Sequence, residues 1–133
     1  MLCGVSKVAS VQSRSMTLRL RLHDAVVTAT LVDNKTSREL ASLLPLTLTM
    51  NDLFRREKYG HLPKPLSREA KRSRSFEVGD IAYWSPSHDL AVFYRQDGEA
   101  IPTPGIIVVA KLDSGVDAFD VPGSMKVRLE LAE

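Results

Sequence analysis

From Met16 onward, apolar and polar residues alternate over much of the chain with the period of two that belongs to strands, whose side chains point to opposite faces in turn. Leu18, Leu20 and Leu22 share one face, and Thr17, Arg19 and Arg21 the other. His23 and Asp24 supply a turn. Ala25 to Val32, rich in β-branched residues, is predicted to return antiparallel and complete a hairpin. The period then changes. Leu40, Leu43 and Leu44 stand at i, i+3 and i+4, the apolar stripe of a helix, and its start is marked by Thr36 and Glu39 at capping-box spacing or by Asn34 as the cap. Pro45 stops the helix, and Leu46 to Met50 alternates again as a third strand.

The centre of the chain holds three apolar runs divided by turn residues: Gly79 to Trp84, Asp89 to Arg95 and Gly105 to Leu112. All three read as consecutive strands. Ser114 to Asp120 has the length of one helical turn, and Met125 to Leu131 alternates as a last strand that closes the sheet. Between Asn51 and Phe76 the periodicity fails, with Gly60, Pro63 and Pro65 breaking any regular element, so a long connection with room for one short strand is expected there. Seven or eight strands and one helix within a domain of residues 16–133 need a closed barrel or a sandwich to hide their edges.

Composition narrows the class. At 133 residues, 44% hydrophobic and 26% charged, the chain has material for one core. No apolar run approaches the roughly 20 residues that span a bilayer, and the single cysteine, Cys3, has no partner for an internal disulfide. A cytoplasmic protein is the simplest expectation. Residues 1–15, serine-rich and without strand or helix pattern, are expected to form a disordered tail. The formal charge of +2 is unevenly spread: residues 55–74 carry eight Lys and Arg against two acids, and residues 75–133 carry four against ten. Only Tyr59 interrupts the basic stretch, too few aromatics for a nucleic-acid stacking surface, so a solvated loop is favoured over nucleic-acid binding.

Familiar catalytic patterns are missing. His23, His61 and His88 are scattered without clustered carboxylates, so no metal site is expected. Ser85, Ser87, His88 and Asp89 are neighbours along one turn and cannot face each other as a triad. The glycines form no phosphate-cradling loop, and no cofactor is expected. Among the aromatics, Tyr83 and Trp84 are adjacent, as are Phe93 and Tyr94, so one of each pair must face outward.

The order of these elements, with Asp33-Asn34 before the helix, Leu44-Pro45-Leu46-Thr47 after it, Glu57-Lys58-Tyr59-Gly60, Leu62-Pro63, Gly79-Asp80-Ile81, Tyr83-Trp84 and Leu90 to Tyr94, resembles the small bacterial cyclophilin-like proteins. The resemblance runs from Met16 to about Leu131. It implies a mainly β fold: a closed, antiparallel, eight-stranded barrel with one main helix. Phe54-Arg55-Arg56 is similar to the Phe-His-Arg run of the prolyl isomerases at its first and third positions, which makes Arg56 the candidate catalytic residue of an isomerase, although the companion Gln-Gly-Gly-Asp run is missing. The reading preferred over an isomerase is a module that binds a small molecule or an extended, proline-containing peptide. Its candidate ligand-binding residues are Glu57 and Tyr59, which at i and i+2 share a face, with Tyr83, Trp84, Phe93 and Tyr94. The groove is expected between the 51–76 connection and the outward aromatics.

Overall fold

The computed structural model describes residues 16–132, so the expected tail at 1–15 lies outside the described residues. Eight strands form the barrel: β1 (Thr17–Arg21), β2 (Val26–Leu31), β3 (Leu46–Leu53), β4 (Glu57–His61), β5 (Asp80–Trp84), β6 (Asp89–Phe93), β7 (Ile107–Leu112) and β8 (Met125–Leu131). Every pairing is antiparallel, and the order β1-β2-β7-β5-β6-β4-β3-β8 closes on itself through β8 and β1. One helix, α1 (Lys35–Ser42), joins β2 to β3, and a 3-10 turn, η1 (Val116–Phe119), precedes β8. Closure pairs every strand on both sides, and with it the edges that so many short strands would otherwise expose.

Alternation sorts the side chains into two apolar layers. Leu18, Leu20, Ala29, Leu48, Met50, Ile81, Tyr83, Leu90, Val92, Val109, Val127 and Leu129 fill the interior, joined by Leu40 from α1, Phe119 from η1, and Leu62 and Leu66 from the stretch after β4. A second, smaller layer lies outside the barrel: Phe76, Ala82, Ala91, Phe93, Ile101 and Ile106, with Tyr59, Trp84 and Val108 against it. Ala82 and Ala91 are cross-strand partners between Ile81 and Tyr83 and between Leu90 and Val92, so the two layers interleave residue by residue along β5 and β6.

Asn34 caps α1. Its side chain accepts the Ser37 N–H at 2.8 Å, and Ser37 Oγ closes the box on the Asn34 N–H at 3.3 Å. The alternative capping pair is used elsewhere: Thr36 Oγ1 donates to the Ser67 carbonyl at 2.7 Å, and Glu39 Oε1 accepts the Ser67 N–H at 2.6 Å. These two bonds tie the connection after β4 to the helix. Leu66, one residue earlier, donates its N–H to the buried Tyr83 hydroxyl at 3.0 Å.

The long irregular connection is shorter than the sequence pattern indicates. β3 continues to Leu53, a tight turn carries Phe54 and Arg55, and β4 occupies Glu57–His61. The failure has a physical cause: Arg56, Glu57 and Lys58 are all buried, so the run shows no alternation of apolar with polar residues. Lys58 is fully enclosed and faces the interior with its cross-strand partner Val92. Its ammonium donates to Asp52 Oδ1 at 3.1 Å, to the Gly123 carbonyl at 2.7 Å and to the Val121 carbonyl. Tyr94 also donates its hydroxyl to Asp52 Oδ1. Burial alone would raise the Asp52 carboxyl, but the bonds from Tyr94 and Lys58 hold it below its ordinary value.

Removing the ammonium takes the cation from the Asp52 carboxylate and a donor from two carbonyls, so Lys58→Met is expected to destabilise the protein by about 2 kcal/mol or more in urea unfolding, despite its similar volume. Burial, followed by the bond to the Asp52 carboxylate, pushes the Tyr94 phenol up to about 12 from 10.0. A raised folded-state value means that this contribution to stability is present below pH 10 and is lost as pH rises towards about 12. Absorbance titration of tyrosinate should therefore show a late phase near pH 12 that Tyr94→Phe abolishes, together with the alkaline loss of stability over that window.

Candidate binding cleft

The outer apolar layer leaves a cleft of about 220 Å³, bounded by the β3–β4 turn, β4, the end of β5, β6 and the stretch before β7. Ala91 and Phe93 of β6 form its floor, Ile101, Pro102 and Ile106 one wall, and Phe54, Tyr59 and Trp84 the remaining aromatic surface; Glu57, Arg56 and Asp89 supply the polar groups. The register places them. Glu57 pairs with Phe93 and Tyr59 with Ala91 on the outer face, while Lys58 between them turns inward.

The wall from the β6–β7 segment is the part that the strand pattern leaves unnoticed. Ser73 and Ile106 form an isolated bridge, and Arg74 Nε donates to the Ile101 carbonyl at 2.8 Å. Gly105, at φ +85, lets the backbone of this turn approach the Ser73 carbonyl, where a Cβ would stand 2.7 Å from the oxygen. Cover therefore comes chiefly from residues 101–106 and the β3–β4 turn rather than from the connection after β4. The available signal was Ile101 and Ile106 flanking a Pro/Gly turn, two apolar anchors in an otherwise polar stretch.

Of the residues singled out from the sequence, Arg56, Glu57, Tyr59, Trp84 and Phe93 come together at this cleft. Tyr83 and Tyr94 do not, since both belong to the interior layer, Tyr83 with no exposed surface and Tyr94 held on Asp52. One member of each adjacent aromatic pair thus faces outward and one inward. The basic stretch is not one surface: Arg56 and Lys58 are buried and paired, and Arg74 is bonded to a carbonyl. Among the described residues no group of three metal-ligating side chains converges, and no helix is long and apolar enough to cross a membrane.

Arg56 is 6% exposed and lies among three rings, with Cζ 5.3 Å from the centroids of Phe54 and Phe76 and 5.6 Å from that of Phe93. Phe76 and Phe93 are themselves stacked at 4.3 Å. The guanidinium donates through Nε to Glu57 Oε1 at 2.9 Å and through Nη2 to the same oxygen, and Nη1 contacts Asp97 Oδ2 at 3.4 Å. Burial pushes the Glu57 carboxyl above its ordinary value of 4.5, opposed by the bond and charge of Arg56. Phe54 has the opposite character. It is 71% exposed at the lip of the cleft, and both it and Arg55 adopt left-handed backbone, φ 59 and 50, where a side chain costs on the order of 1 kcal/mol.

Loss of the guanidinium leaves Glu57 buried and uncompensated, so Arg56→Met is expected to cost about 3 kcal/mol at pH 7. The raised Glu57 value fixes the sign: its protonated form favours folding below pH 4.5, and this is lost as pH rises through the folded-state value. The difference between wild type and variant in chemical denaturation should therefore narrow as pH falls from 7 to 4, and a pH-independent difference would exclude Glu57 as its origin.

Comparison with known proteins agrees with this architecture. The solution structure of a hypothetical protein from Archaeoglobus fulgidus superimposes with a TM-score of 0.73 at 25% identity, over 90% of this chain and 98% of that one. The structure of McbB in complex with tryptophan superimposes with a TM-score of 0.60 at 17% identity over 85% of this chain, which spans only 44% of McbB and shares its fold. Comparison with curated proteins returns no match. The pattern of the cyclophilin-like family matches residues 20–130, nearly the whole barrel, and the chain belongs to that family.

Proposed function

We propose that this protein is a binding module whose ligand seats one ring or one apolar side chain in the cleft above Ala91 and Phe93. The observation that carries this reading is the exposed aromatic lip. Phe54 holds a left-handed conformation while largely exposed, next to Tyr59 and Trp84 and over a preformed apolar floor. The tight hairpin turn, in which the Arg56 N–H donates to the Leu53 carbonyl at 3.1 Å, accounts for the left-handed backbone, and Arg56 covers one side of the ring; the exposure of the ring at the mouth of a pocket is what supports a ligand contact. A cleft of 220 Å³ is smaller than the pockets that enclose drug-sized molecules, so it suits a single ring or side chain, free or presented by an extended peptide.

Prolyl isomerisation ranks below binding on the same geometry. Twisting an X-Pro amide calls for a donor free to reach the proline nitrogen, and Arg56 directs Nε and Nη2 at Glu57 and Nη1 at Asp97. An isomerase assay with an X-Pro peptide is expected to show no acceleration.

Trp84 is the only tryptophan in the chain and lines the cleft, so its fluorescence reports occupancy directly. A screen of single-ring compounds is expected to return ligands with dissociation constants on the order of 1 mM or tighter. Phe54→Gly should weaken their binding severalfold while leaving stability within about 1 kcal/mol of wild type, because glycine relieves the backbone strain. Unchanged affinity in this variant would refute the cleft as the binding site.

A further inference from the structure

Charge at the cleft allows the ligand class to be narrowed, an inference that rests on the binding reading above. One guanidinium, Arg56, lines the cleft, and it is already paired to Glu57 and to Asp97. Both of its bonds to Glu57 end on Oε1. Among the described hydrogen bonds none ends on Oε2, and no buried side-chain polar atom lacks a partner, so Oε2 keeps some accessible surface on a side chain that lines the cleft. A second carboxylate of the lining is Asp89, where Ser87 Oγ donates to its Oδ2 at 2.6 Å and the exposed ring of His61 lies 3.1 Å from its Oδ1. Arg74, bonded to the Ile101 carbonyl, and Arg72, bonded to Ser85, keep their charge, but neither lines the cleft.

We infer that the cleft selects a cationic ligand with an apolar body, an amine or guanidinium carried on a ring or short hydrocarbon, whose charge meets Glu57 Oε2 and the aromatic faces of Phe54, Tyr59 and Trp84 while its body fills the space above Ala91 and Phe93. Two carboxylates and one guanidinium line the cleft, and the guanidinium is also paired to Asp97, which leaves net negative charge at the mouth. The low-dielectric floor weakens screening of that charge, and ring faces attract cations through their quadrupoles. An anionic ligand meets the reverse. The one cation that lines the cleft is already paired twice, and a carboxylate placed beside Glu57 and Asp89 is repelled by both.

Three compounds with the same ring isolate the charge: phenethylamine, 2-phenylethanol and phenylacetate, titrated into the full chain at pH 7 and low salt with Trp84 fluorescence as the signal. The amine is expected to bind best and the acid worst, separated by about tenfold or more. Glu57→Gln should narrow that separation severalfold. Asp89→Asn, at a site whose partners are exposed, provides the same reading should the buried substitution impair folding, and should narrow it as well. Equal affinities, or preference for the acid, overturn the cationic assignment while leaving the cleft reading intact. Binding with the predicted order that neither folded carboxylate variant alters overturns the role given to Glu57 and Asp89. Failure of all three compounds to bind removes the cleft reading, and the charge preference with it.

Discussion

The register of β4 against β6 is the constraint on which the site depends. Lys58 lies opposite Val92, Glu57 opposite Phe93 and Tyr59 opposite Ala91. Because strand side chains alternate, a slip of one residue would exchange every face, sending Lys58 out and driving Glu57 and Tyr59 into the interior. What prevents the slip is chemical as well as apolar. The interior offers Lys58 three oxygen acceptors, from Asp52, Val121 and Gly123, and the exterior offers Glu57 the guanidinium of Arg56. Each charged residue is satisfied in only one of the two registers.

Consecutive residues Arg56, Glu57 and Lys58 thus bury three charges in a strand that contributes little apolar area. Buried ion pairs of this kind add little net stability, since desolvation consumes much of the Coulombic gain, yet breaking one is costly. Their consequence here is placement. The interior set ties the start of β4 to β3 and to the turn before β8, fixing one end of the barrel. The exterior pair is clasped between Phe54, Phe76 and Phe93, which fixes the polar edge of the cleft. Glu57 is held through Oε1 by both the Nε and the Nη2 of Arg56.

The fold departs from economy in one place. Most of the barrel obeys simple rules, with apolar residues inward, ion pairs such as those of Glu130 with Arg19, Arg21 and Arg128 outward, and edges paired. The β3–β4 turn does not, because it carries two non-glycine residues in left-handed backbone and leaves a phenylalanine in water. That turn borders the one concavity among those described whose walls are chiefly aromatic and aliphatic.

How much of this was legible beforehand differs by element. Alternation located β1, β3 and β8, β-branched residues β2, and the apolar runs β5, β6 and β7, because burial on one or both faces leaves a hydrophobic trace in the sequence. The rule that neighbours on a strand face opposite ways required one of Tyr83 and Trp84, and one of Phe93 and Tyr94, to point outward; which one was decided by the sheet register. The short strand expected within 51–76 is β4, but its bounds left no trace, since its residues are buried through ion pairs and a glycine rather than through apolar side chains. Barrel closure, the fate of Thr36 and Glu39 as anchors for Ser67, and the wall built by Ile101 and Ile106 depend on contacts between segments far apart in the chain. The sequence by itself determined which residues could be buried and with what period. Only the tertiary structure decided which charges met inside, because a carboxylate and a cation become partners by where the backbone brings them, and no local pattern records that distance.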